Sequence, residues 1–177
     1  MTIDAPELRA AAREAIRLSF EELLAAHPGE RFYAFALYTD DGVSGISPAA
    51  NSEEGLATKI AEYGEDAEPN YLRWTTSEWS YEGFGWDRTK DVYHSIMEMP
   101  GRDDDFDAFY AGVLTLMEGV IADLDAEGLF GRGTEREGVT LLCTITDSDE
   151  ALAYERRTVR ALNPQAAAAR YEADLEE

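Results

Sequence analysis

Apolar residues recur at nearly every fourth position from Leu8 through Ala12, Ile16 and Phe20 to Leu23, the stripe of a long helix that turns one face to a core. Asp4, Pro6 and Glu7 supply its start, with Asp4 as cap and Glu7 closing a capping box, and Pro28-Gly29 supplies its stop. The rhythm then changes. Phe32 to Tyr38 is apolar on both alternating faces, Phe32, Ala34, Ala36 and Tyr38 on one side and Tyr33, Phe35 and Leu37 on the other, which predicts a strand inside a covered sheet. Asp41-Gly42 reads as a tight turn, so Val43 to Ser47 is expected to return as the second arm of a hairpin ended by Pro48.

Asn51 with Glu54 forms a capping box that opens a helix through Leu56, Ile60 and Tyr63, and Gly64 to Pro69 is an acidic loop. Tyr71 to Tyr81 mixes aromatics with Thr and Ser and reads as a strand, broken by Gly83 and Gly85. Asp87 caps a short helix that turns Val92, Tyr93, Ile96 and Met97 inward and ends at Pro100-Gly101. Asp103 to Asp105 heads the clearest helix, with Phe109, Val113, Met117, Val120 and Leu124 among its core positions. A Gly128 to Gly138 loop leads to Val139 to Thr146, whose alternation predicts a half-covered strand; Asp147 and Glu150 then box the start of a last helix that ends before Pro164. With no repeat or linker, the pattern predicts one α+β domain over residues 1–164, helices packed on a small, mostly antiparallel sheet, followed by an acidic Ala-rich C-terminal tail, 165–177.

Composition narrows the function classes. Fifteen Lys plus Arg against 37 Asp plus Glu leave a net charge of −22, which repels phosphate backbones and speeds encounter with a basic protein. No nucleic-acid partner is expected; the charge reads first as a means of solubility, and a basic protein is the kind of partner it would favour. The single cysteine, Cys143, cannot form an internal disulfide, and no stretch approaches the roughly 18 apolar residues of a membrane span. These features predict a soluble, cytoplasmic protein without a membrane partner.

Candidate chemistry is thin. His27 and His94 have no partner in sequence, Cys143 sits among apolar strand residues, and Asp103, Asp104, Asp105 and Asp107 lack a calcium-loop pattern, so no metal, cofactor or catalytic residue is assigned. Gly131 to Thr134 lacks the lysine of a phosphate loop. The unusual stretch is Arg73 to Trp86, which holds all three tryptophans together with Tyr81 and Phe84. Trp74, Trp79 and Tyr81, with the turn carboxylates Asp40 and Asp41, form the candidate ligand- or partner-binding set. The favoured reading of the same rings is structural, a hydrophobic lid over the sheet edge that finishes a core.

The runs FYAFALYTDDG (Phe32 to Gly42), SPAANSEEGL (Ser47 to Leu56) and YLRWTTSEW (Tyr71 to Trp79) together resemble the bacterial family labelled domain of unknown function 4303. The resemblance spans about Asp4 to Pro164 and carries no activity or catalytic residue with it. The leading expectation is a non-enzymatic acidic interaction protein, regulatory or toxin-neutralising. The alternatives are a small-ligand binder or enzyme with a pocket lined by Trp74, Trp79 and Tyr81, and a domain that meets its own copy through its aromatic surface.

Overall fold

The doubly apolar run folds as β1 (Phe32–Asp40) at the centre of a sheet, in a computed structural model that describes every residue except Met1, Asp4, Gly101, Asp103 and Glu177. β1 pairs antiparallel with β2 (Ser47–Ser52), which pairs antiparallel with the two-residue β3 (Tyr81–Glu82); on its other side β1 pairs parallel with β4 (Thr140–Thr146). The order β3-β2-β1-β4 is therefore mixed, with two antiparallel pairings, and the domain is α+β.

Helices α1 (Pro6–Ala26), α4 (Trp86–Met97) and α5 (Phe106–Glu127) cover one face, and α2 (Glu53–Tyr63), α3 (Pro69–Trp74) and α8 (Gln165–Asp174) the other. The short α6 (Thr134–Glu137) precedes β4, and α7 (Ala151–Leu162) lies along it. The predicted α1 stripe is buried throughout, and Phe20 meets Phe35 edge-on with ring centres 5.2 Å apart. Asp4, read as its cap, lies outside the described residues, as do Gly101 and Asp103. At α5 the cap is Asp105, whose carboxylate accepts from the Ala108 amide at 3.1 Å.

The alternation expected in β1 breaks at one place. The register slips between Phe32 and Ala34, leaving Tyr33 as the extra residue of a bulge. Phe32 consequently joins Phe35 and Leu37 under α1, while Tyr33 joins Ala34 and Ala36 on the opposite face. β2 also starts later than the turn suggests. Val43 and Ile46 are drawn into the core rather than paired, Val43 at a positive φ of 46° that a β-branched residue rarely adopts. Asn51 belongs to this strand, and the cap of α2 is Ser52, whose Oγ accepts from the Gly55 amide at 2.9 Å.

Tyr71 to Tyr81 is a correction. Pro69 pre-sets the first helical turn, so the segment folds as α3 and a single tight turn at Thr76–Glu78, with only Tyr81–Glu82 in the sheet. Neither expected cap forms at α4 or α7. The chain enters α4 at Gly85 in the left-handed region, where a side chain would collide with Ser19, and Glu150 precedes α7 without a side-chain bond.

β4 is covered on both faces rather than one, and its outer edge is closed by side chains of the α7 segment. Asn163 accepts from the Leu141 amide at 2.8 Å and donates to its carbonyl at 2.6 Å, and Thr158 Oγ1 bonds both the amide and the carbonyl of Cys143. These contacts satisfy groups that an open sheet edge would present to other chains. Residues 165–177, read as a tail, carry α8, whose Ala167 and Tyr171 are fully buried against the sheet.

Candidate functional site

Because β1 and β4 run parallel, their carboxyl ends emerge side by side. In mixed sheets this is where connections diverge and leave a crevice. Here Tyr38 and Thr144 to Thr146 form the floor. The chain then turns at Asp147, in the left-handed region at φ 59°, and α7 supplies Ala151, Leu152 and Glu155. Tyr71 and Trp74 of α3 make one wall, Asp174 and Leu175 at the end of α8 complete it, and the groove between them measures about 1220 Å³. A smaller pocket of about 320 Å³, lined by Tyr63, Asp66, Glu68, Tyr71 and Leu72, adjoins it.

The groove is acidic. Five carboxylates line it, Glu68, Glu82, Asp147, Glu155 and Asp174, and among the described lining residues there is no lysine or arginine. Burial raises the Glu155 carboxyl above the usual glutamate range, against hydrogen bonds from Thr144 and Tyr171 that take up one oxygen each. Burial, with the charge of Glu82 beside it, pushes the Tyr38 hydroxyl up to about 12. Asp174 accepts from the Trp74 indole at 3.0 Å.

Of the five residues singled out from sequence, the structure brings only Trp74 to this groove. Trp79 is 4% exposed and donates its indole N–H to the Arg73 carbonyl at 2.9 Å. Tyr81 lies against α1, where it bonds Glu30 at 2.6 Å and His27 at 3.1 Å. Asp40 accepts from the Ser44 amide at 2.9 Å, holding the turn after β1, and Asp41 is exposed beside it. The Arg73 to Trp79 stretch is tied into the fold: Arg73 grips Glu53 through two bonds of 3.1 and 2.9 Å while lying 4.5 Å from the Tyr33 ring centre, and Glu78 receives the Tyr63 hydroxyl at 3.0 Å. Trp74 is 3% exposed and packs edge-on against Tyr171.

A second polar cluster joins Ser52, Glu30, Tyr81 and His27. Burial works to raise the Glu30 carboxyl, but donors from Ser52 and Tyr81 outweigh it and hold the group below its ordinary value. Ser52 is fully buried and occupied as a helix cap, so the cluster fastens α1 to the sheet. Cys143 is also fully buried, and burial raises its thiol well away from the reactive thiolate. Among the described residues no group of three or more His, Cys, Asp or Glu is placed to hold a metal ion, and no helix is long and apolar enough to cross a membrane.

Glu68, Glu82, Glu155 and Asp174 carry no sequence signal of their own, and Asp147 reads only as a helix cap. They come from four separate segments and stand among 37 acidic residues. What they can do together is receive a cation: carboxylates offer charge-assisted hydrogen bonds, and the Tyr71 ring offers a π face.

Residues 13–164 match the family described as Domain of unknown function (DUF4303), and the chain belongs to that family. No curated protein and no solved structure matches it.

Proposed function

We propose that this member of the DUF4303 family is a non-enzymatic interaction protein that holds a cationic surface of a partner protein in the groove between α3, α7 and α8. The observation that carries the reading is the groove's lining: five carboxylates beside Tyr38, Tyr71 and Trp74, with no lysine or arginine among the described lining residues, although Arg73 and Arg170 act on Asp174 from outside that lining. A concave wall of one sign concentrates its field and steers an oppositely charged partner, and the net charge of −22 extends that attraction. Glu155, whose carboxyl burial raises, has both oxygens bonded by the chain's own hydroxyls, which favours a structural role over proton transfer. Neutralising a basic toxin and regulating a basic neighbour are both served by such a surface.

The test compares two charge-matched double variants. Glu68→Gln with Asp147→Asn removes two groove carboxylates; Glu135→Gln with Glu137→Gln removes two from α6, which precedes β4 and so lies at the opposite end of that strand. Calorimetric titration with an arginine-rich peptide should show the groove variant weakened about tenfold at low salt, the effect of losing two exposed ion pairs. The α6 variant should stay within about twofold, and raised salt should shrink the difference. Equal weakening by both variants would show that only net charge matters and remove the groove from the proposal.

A further inference from the structure

We infer that the partner enters as an extended segment carrying at least two cationic side chains, arginine preferred, which occupies the groove and the adjoining pocket together. This rests on the cationic-partner reading above and specifies the form that partner takes. The two concavities share Glu68 and Tyr71, so a single rib on and before α3 separates them. Tyr71 on the rib is 54% exposed and Tyr63 in the smaller pocket 43%, two of the four exposed large aromatic side chains among the described residues, the others being Trp86 and Phe106. Each concavity thus pairs an aromatic wall with carboxylates, Asp66 and Glu68 in the smaller one. A compact ligand fills one of them; a chain laid across Tyr71 reaches both.

The molecule itself shows what such a seat holds. Arg73 lies 4.5 Å from the Tyr33 ring centre while bonded to Glu53, and Arg157 lies 5.0 Å from the Tyr154 ring centre while bonded to Glu118. A guanidinium satisfies both partners at once, because its flat face stacks on the ring while its edge donates two parallel bonds to the carboxylate. An ammonium does only one of these well. Two such seats joined by a short linker raise affinity through effective concentration without a new kind of contact.

The experiment uses the full chain and four probes: a peptide with one arginine, a peptide with two adjacent arginines, a series with two arginines separated by one to several glycine-serine residues, and spermidine. One member of the spaced series should bind about tenfold more tightly than the adjacent-arginine peptide of equal charge. Lysine in place of both arginines should weaken it several-fold. Tyr71→Ala, at an exposed position, should erase the spacing preference while circular dichroism stays unchanged. If every cationic peptide binds without any groove dependence, the cationic-partner reading itself fails. If binding depends on the groove but spacing has no effect, or spermidine binds as tightly as the best peptide, that reading survives and the two-seat inference is overturned.

Discussion

Tyr171 is the residue on which the status of the C-terminal segment turns. It is fully buried, its ring meets Trp74 edge-on at 5.0 Å, and its hydroxyl donates to Glu155 at 3.0 Å. Tyr171→Ala would leave a void among Trp74, Leu142 and Val159, and aromatic-to-alanine changes in cores cost about 3–5 kcal/mol. The total stability of a domain is about 5–15 kcal/mol, so the loss is a large share of it. For a chain of this size each kcal/mol lowers the melting temperature by about 2–4 °C, giving an expected drop of about 6–20 °C. Thermal melts followed by circular dichroism, with urea titration followed by tryptophan fluorescence, read it directly. Tyr171→Phe separates the two contributions: it keeps the ring and removes one donor to a buried carboxyl, at about 1–3 kcal/mol. A loss below about 1 kcal/mol for Tyr171→Ala, or an undiminished melting temperature after deletion of residues 165–177, would show that the segment hangs free of the domain.

Two further substitutions probe the neighbouring structure. Asn163→Ala strands the outward amide and carbonyl of Leu141, so urea titration should show a loss of about 1–3 kcal/mol for each unmet group, with increased light scattering as the β4 edge becomes available to other chains; unchanged stability would mean water replaces the amide at no cost. Glu155 has a folded pKa raised above the ordinary 4.5, so the native state holds a proton that the unfolded state lacks, and the stability this gives is present below that value and lost as pH rises through the raised one. Glu155→Gln removes the dependence, and its melting temperature relative to the parent should therefore climb as pH increases from 4.5; a difference that stays constant with pH would contradict the burial argument.

The parts of the fold legible in sequence are those whose apolar residues keep a regular spacing, including β1, which is apolar on both faces. α1 and α5 keep a helical rhythm because each turns a stripe inward and leaves polar residues outside. β2 is Ser-Pro-Ala-Ala-Asn-Ser, a sequence of low strand propensity. It is a strand because β1 needs a partner there and because Ala49 and Ala50 are small enough for the sheet's covered interior. The aromatic density of Tyr71 to Tyr81 reflects packing across the sheet rather than strand formation, since Trp74 and Trp79 fill space beside Tyr33. α8 contains alanines and charges around one decisive ring, Tyr171, so its amphipathic pattern is faint. The groove was least legible because it exists only after α3, the end of β4, α7 and α8 converge, and no local spacing marks the carboxylates that line it.

That convergence gathers part of the chain's excess negative charge in one hollow, and the distribution of cations explains how. Among the described residues, twelve of the fifteen lysines and arginines lie within ion-pairing distance of a carboxylate elsewhere in the chain. The other three, Arg102, Arg132 and Arg170, donate to backbone carbonyls of Gly42, Glu127 and Gly138. None of the fifteen lines the groove. Carboxylates gathered in a concavity repel one another; Glu155 accepts from the Thr144 and Tyr171 hydroxyls and Asp174 from the Trp74 indole. The remaining field points outward. A surface selected only for solubility gains nothing from concentrating like charge in a hollow beside exposed tyrosine rings, because dispersed carboxylates hydrate as well without the mutual repulsion. A surface that must capture a cation gains both steering and a low-dielectric wall against which the captured charge is held more strongly than on an open face.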